Sequence, residues 1–263
     1  VKRWAVAHGL EVRQPRTLRR EPAQAELAAL QPQALVLVAY GLLLPQAVLD
    51  AAPLGGLNLH PSLLPKHRGP APVVGALLAG DTETAATIML MDAGMDTGPV
   101  LAQQRVDIGP DETAGELNDR LSHLGADLMA ATLPRWAAGE ITPQPQDDSQ
   151  ATYTRLMTKD DGVLDWAQPA AVLARRVRAY QPWPGTATRW QGKGLKVLMA
   201  SAVASDAGGA APGTVVAHGD GAAVVTGDGL LVLRTVQVEG RKPAEVTEFL
   251  RGARGFIGSV LGG

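Results

Sequence analysis

The stretch "ALVLVAYGLLLPQAVLDAAPLGGLNLH", residues 34–60, decides how this chain folds. Its first run, "ALVLVAY", is apolar without alternation, which is how a strand reads when helices cover both of its faces. Pro45 then opens a short helical run, "QAVLDAA", because the first turn of a helix has no use for the N–H that proline lacks. "GGLNLH" resumes as a strand. Strand, helix and strand in so short a span predict a βα-type unit in an open α/β sheet.

Working outward, Val1 to Gly9 reads as a helix stopped by Gly9, and Thr17 as the cap of a second helix through "AQAELAAL". Downstream, "PVVGALLAG" is a helix ending at Gly80, and "TAATIMLM" and "VLAQQRVDI" are strands separated by the loop "DAGMDTGP". Asp111 or Thr113 starts a long helix through Ala138, ended by Gly139. Residues 1–139 are therefore expected to form an open, mostly parallel, Rossmann-like sheet with helices on both faces. Residues 140–158, "EITPQPQDDSQATYTRLMT", have the composition of a linker. In residues 159–263 a helix, "PAAVLARRVRAY", precedes short apolar runs broken by Gly and Asp. That spacing predicts a small C-terminal β-barrel of the OB type, closed by a helix in "PAEVTEFLRG".

Composition narrows the chemistry. The chain has 263 residues, 46% of them hydrophobic, enough for two domains. It has no cysteine, so disulfides, thiolate metal sites and cysteine nucleophiles are excluded. No apolar run reaches the roughly eighteen residues of a membrane helix, which leads to the expectation of a soluble, cytoplasmic protein; a monomer is expected as well. Residues 1–155 carry 12 Lys and Arg against 17 Asp and Glu, the remainder 12 against 9, so an acidic half precedes a mildly basic one. That balance permits a polyanion partner in the second half. The chain opens at Val1 without methionine and already inside a helix, which reads as a fragment or processed piece.

Residues two apart on a strand point the same way, so Asn58 and His60 project together at the carboxyl end of "GGLNLH". In open α/β sheets ligands bind at that edge, and Pro61 turns the chain away across it. The loop "MDAGMDTGP" leaves a neighbouring strand there with Asp92 and Asp96. An amide can donate to an oxyanion, an imidazole can shuttle a proton, and a carboxylate can orient the imidazole or take a proton from an amine. The same residues could equally cap strand ends and make Asx turns. His60 and His67 lack the spacing of a metal pair, and no metal site is expected.

"LNLHPSLLPKHRGPAPV" followed by "MDAGMDTGPVL" resembles the folate-dependent formyltransferase family. The resemblance implies that Asn58, His60 and Asp96 are catalytic. It also implies that Ser62, Leu63, Leu64 and Pro65, with Leu42 and Leu44 of "YGLLLP", line the site of the co-substrate 10-formyltetrahydrofolate. It continues through "KDDGVLDW", "QPWPG", "PGTVV", "VVTGDG" and "VEGRKPAEVTEFLRG". This extent matches the branch that formylates the free amine of initiator methionyl-tRNA. On that chemistry Asn58 and a protonated His60 would steady the tetrahedral oxyanion while Asp96 orients His60 and helps carry the amine proton to the folate nitrogen. A sugar-amine or purine-precursor formyltransferase, a formyl-folate hydrolase and a non-enzymatic RNA-binding remnant are the alternatives.

Two departures stand out. "KHRGPAP" has His67 where the family has an aromatic or other residue, and Pro70 where it often has alanine. The family also carries an earlier strand, helix and strand, roughly 40 residues by the size of such units, so the chain as given is expected to be incomplete. In the second half Arg175, Arg178, Lys193 and Lys196 are candidate phosphate contacts for tRNA. Trp166, Trp183 and Trp190 read as packing residues that could also stack on bases.

Overall fold

The computed structural model describes residues 1–41, 44–205 and 208–262. Its first half contains α1 (Lys2–Ala7), α2 (Glu21–Ala29), β1 (Leu35–Val38), α3 (Gln46–Leu49), β2 (Gly56–His60), α4 (Pro72–Ala79), β3 (Glu83–Leu90), β4 (Val100–Asp107) and α5 (Ala114–Ala137). The strands form a four-stranded sheet in the order β1-β2-β3-β4. β1 and β2 pair in parallel, with Leu37 opposite Asn58. The β2–β3 and β3–β4 pairs are antiparallel, so the sheet is mixed where the sequence suggested a mostly parallel one.

The reason lies between β2 and β3. Residues 61–71 are spent on a turn around the end of β2, and α4 adds only eight residues before Gly80 stops it in the left-handed region at φ 79°. A parallel return needs the crossover to run back along the whole length of the sheet to its opposite end. The chain instead re-enters at the end it left, and His60 pairs with Thr87. β4 carries the matching signal: along "QQRVD" every residue is exposed or half-buried and none is fully buried, as suits a strand at the sheet edge.

α5 covers one face of the sheet. Its capping box is complete, with the Thr113 hydroxyl accepting from the Glu116 N–H and the Glu116 carboxylate accepting from the Thr113 N–H. It lies so close to β2 that a Cβ on Gly125 would meet Leu59 side-chain atoms at 2.5 Å. Leu57 and Leu59 pack on this side with Leu128 and Met129. By strand alternation Asn58 and His60 face the other way. Thr17 does not cap α2; its hydroxyl accepts from the Arg19 N–H, and the helix starts after Arg20.

The second half contains α6 (Ala170–Ala179), β5 (Thr186–Trp190), β6 (Lys193–Val203), β7 (Val215–His218), β8 (Gly221–Val225), β9 (Leu230–Val238), β10 (Ala244–Glu245) and α7 (Val246–Gly252). It forms a six-stranded antiparallel sheet along β5-β6-β9-β8-β7, with β10 on β9. Among the described residues no ladder joins β7 to β5, so the sheet does not close on itself as a barrel. The C-terminal segment spans the gap: Val215 N–H donates to Ser259, Leu261 N–H to Gly213, and Gly262 N–H to Arg189 on β5.

The two halves share α6. Leu173 and Val177 enter the core of the second sheet, while Ala179 and Tyr180 enter that of α4 and α5. Arg175 donates to the Leu78 carbonyl at 3.1 Å, and Arg178 to the carbonyls of Gly109 and Glu112 at 3.3 and 3.1 Å. These cations cap backbone carbonyls at the junction instead of standing free for phosphate. Trp166 is buried, and Trp190 packs edge-on against Phe249 and Phe256, whereas Trp183 is exposed.

Candidate active site

Asn58 and His60 lie two apart at the end of β2, and the loop between β3 and β4 brings Asp96 to His60. His60 is buried, with Nε2 3.0 Å from the His67 carbonyl and Nδ1 3.7 Å from Asp96 Oδ1. A carbonyl only accepts, so Nε2 carries the proton and neutral His60 turns the bare lone pair of Nδ1 toward Asp96. Burial is the largest influence on the imidazole and lowers its pKa, against the raising influences of Asp96 and of the His67 carbonyl. The resting imidazole is therefore neutral at neutral pH. This differs from the protonated His60 expected from the sequence.

Asp96 sits at φ 55°, an uncommon conformation for a residue with a side chain, and its Oδ2 accepts from the Gly69 N–H at 2.7 Å. Asp92 has the more ordinary role open to it. Its Oδ1 accepts from the Gly94 N–H and the Thr97 hydroxyl, an Asx turn that shapes the loop. Gly98 is required by space: a Cβ there would lie 1.8 Å from the Leu90 carbonyl oxygen. Asn58 is half-buried, and among the described residues nothing hydrogen-bonds its side-chain amide. It is the uncommitted donor at the mouth of the site.

The segment Ser62–Pro65 wraps this mouth. Ser62 is fully buried and its hydroxyl donates to the Lys66 carbonyl at 2.7 Å, while its own carbonyl accepts from Thr87 at 2.6 Å. Gln103 donates to the Leu64 carbonyl and to Thr87. Ser62 and Leu64 thus build the turn from inside, and the half-exposed Leu63 and Pro65 offer its surface. Leu44 is half-buried just before α3; Leu42 lies outside the described residues.

The sequence reading missed the contribution of residues 144–154. Gln146 donates to the carbonyls of Asp96 and Gly98 at 2.9 and 2.7 Å. The Arg68 guanidinium, 1% exposed, is enclosed by Gln146, Asp148 and Tyr153. Thr152 and Thr154 hydrogen-bond the backbone of residues 67–71. Their polar composition reads as linker, and no local periodicity distinguishes a strap from a tether. Among the described residues no group of three or more His, Cys, Asp or Glu could hold a metal ion.

An amide, an imidazole and a carboxylate thus stand near one strand end. The chain belongs to the formyl transferase family, whose pattern matches residues 4–133 and, for its C-terminal domain, residues 156–254. Among its relatives, the methionyl-tRNA formyltransferase of Roseiflexus sp. (strain RS-1) is 50% identical over 262 residues, which is 100% of this chain and 81% of that protein. That of Chloroflexus aurantiacus (strain ATCC 29366 / DSM 635 / J-10-fl) is 51% identical over 254 residues, 96% of this chain and 82% of that protein. In fold the chain is similar to HypX from Aquifex aeolicus, solved with tetrahydrofolic acid (TM-score 0.62, 19% identity, 90% of this chain and 42% of that one). It is also similar to the sugar 3N-formyl transferase WlaRD (TM-score 0.68, 13% identity, 92% and 82%).

Proposed function

We infer that the protein transfers the formyl group of 10-formyltetrahydrofolate to the free α-amino group of initiator methionyl-tRNA. The observation that carries this reading is the near half-identity with methionyl-tRNA formyltransferases across the whole chain, second sheet included. The site chemistry supports it. The amine nitrogen attacks the formyl carbon, and the Asn58 amide donates to the oxygen as it becomes an oxyanion. His60 Nδ1, backed by Asp96, takes the proton that the amine must lose. The new C–N bond then persists, the bond from carbon to the folate N10 breaks, and the proton passes to N10. Leu63, Pro65 and Leu44 offer apolar surface to the folate.

In the same reading residues 1–139 form the catalytic unit, 140–158 connect, and 159–263 hold the tRNA, the whole acting as a cytoplasmic monomer. The test is incubation of full-length enzyme with 10-formyltetrahydrofolate and methionyl-tRNA. Formylmethionine on the tRNA is the expected product; release of formate alone, or transfer only to amino sugars, would replace this reading with one of the other formyl-folate activities.

A further inference from the structure

The catalytic pair does not hold itself in place. His60 owes its tautomer to the His67 carbonyl, and Asp96 owes its carboxylate position to the Gly69 N–H. Both groups belong to a single turn, residues 67–69. His67 stands at φ 59° and Gly69 at φ 101°, so this turn is not one the backbone favours unaided. What holds it comes from the connecting segment some 85 positions further on. Arg68 N–H donates to the Thr152 carbonyl and Thr154 N–H to the Arg68 carbonyl, at 2.9 and 2.8 Å. The Thr154 hydroxyl donates to the Arg68 carbonyl and accepts from the Ala71 N–H, both at 3.0 Å. The fit is close: a Cβ on Gly69 would meet the Thr154 carbonyl oxygen at 2.8 Å, and one on Gly75 the Thr154 methyl at 2.5 Å. Gln146 acts on the other partner, donating to the backbone carbonyls of Asp96 and Gly98 while its Oε1 accepts from the buried Arg68.

We propose that Thr154 and Gln146, in the segment between the two sheets, are positioning residues for formyl transfer. Thr154 fixes the turn that orients His60 and anchors Asp96, and Gln146 fixes the backbone of Asp96. Neither touches the substrates. The inference rests on the reading of His60 and Asp96 as the proton-handling pair. Its consequence is that the segment joining the halves sets the geometry of the reaction and does more than tether a tRNA-binding unit.

The test uses full-length enzyme with 10-formyltetrahydrofolate and methionyl-tRNA. Thr154→Val keeps the shape but removes the hydroxyl; Thr154→Ser keeps the hydroxyl. Gln146→Glu keeps the acceptor for Arg68 but sets a carboxylate against two carbonyls. Misplacement of a reacting group by a fraction of an ångström costs about tenfold or more in rate. Thr154→Val and Gln146→Glu should therefore each lower kcat about tenfold, with KM for both substrates within about twofold. Thr154→Ser should recover most of the loss. In ¹⁵N imidazole spectra the single Nε2-protonated form of His60 should give way to a mixture in Thr154→Val. Full turnover in both Thr154→Val and Gln146→Glu, or a Thr154→Ser variant as slow as Thr154→Val, would overturn the proposal. His60→Ala runs alongside. If it retained normal turnover, the site reading and this inference would fall together; if it were inactive while the other variants stayed fully active, only the positioning role would fall.

Discussion

His60 is pulled in two directions, and the balance makes a prediction. Burial depresses its pKa from the ordinary 6.5 while Asp96 and the His67 carbonyl oppose the shift, and burial wins. If the neutral imidazole is the proton acceptor, kcat should be level through neutral pH and fall on the acid side with a midpoint below 6.5. Asp96→Asn removes a raising influence, so the acid limb of its residual activity should move to still lower pH; a pH profile of kcat for both proteins checks this. Stability follows the same sign. A depressed folded-state pKa means the unfolded chain binds the proton first, so the contribution of His60 is fully present above 6.5 and declines as the pH falls toward the folded value. His60→Ala and Asp96→Asn should each lower kcat about 100-fold or more, the scale of losing a positioned proton-transfer group, with folate binding little changed. Single-turnover formylation with a separate folate-binding measurement tests it. At this scale Asn58 and His60 were legible because strand parity alone sets them side by side. The tautomer was not, since it depends on a carbonyl that only the folded turn brings to Nε2.

Elements carry the next level of consequence, beginning with the loop between β3 and β4. Gly98→Ala would drive a Cβ into the Leu90 carbonyl, so the loop must open and Asp96 must leave its place. Its kcat should fall at least as far as that of Asp96→Asn, again read by single-turnover formylation. β1 makes a different prediction. Among the described residues it pairs with β2 alone, and Val36 and Val38 are 48% and 59% exposed along it. A flat apolar edge templates association. If that edge templates association at high concentration, Val36→Lys with Val38→Glu should suppress it, measured by light scattering. Element type was readable here because Pro45, Gly80, Thr113 and Gly139 punctuate the pattern with known chemistry. Strand direction was less so. "ALVLVAY" and "TAATIMLM" are both continuous apolar runs, yet β1 runs parallel to β2 and β3 antiparallel. The difference arises from where the turn and α4 deliver the chain, which no strand records.

At the scale of the whole molecule the basic residues of the second half divide by what they touch. Arg175 and Arg178 are engaged with carbonyls of α4 and of the approach to α5, and burial lowers the pKa of Arg178. Lys159, Arg189 and Lys196 instead line an open groove of about 760 Å³ along β5, β6 and β9, all of them exposed, with Glu239 as the one acidic residue on its wall. If this groove receives the phosphates of tRNA, binding releases counterions and affinity must fall as salt rises. Lys159→Ala, Arg189→Ala and Lys196→Ala together should then weaken tRNA binding and reduce the slope of log affinity against log salt by up to about one unit for each phosphate left without its cation. Arg178→Ala should behave differently: two carbonyls lose their donor at the junction, so thermal stability drops while the salt slope stays as it was. The measurement is a salt titration of tRNA affinity for both variants beside their melting curves. A slope that flattened for Arg178→Ala and held for the groove variant would place the tRNA against the junction and leave the groove as solvated surface.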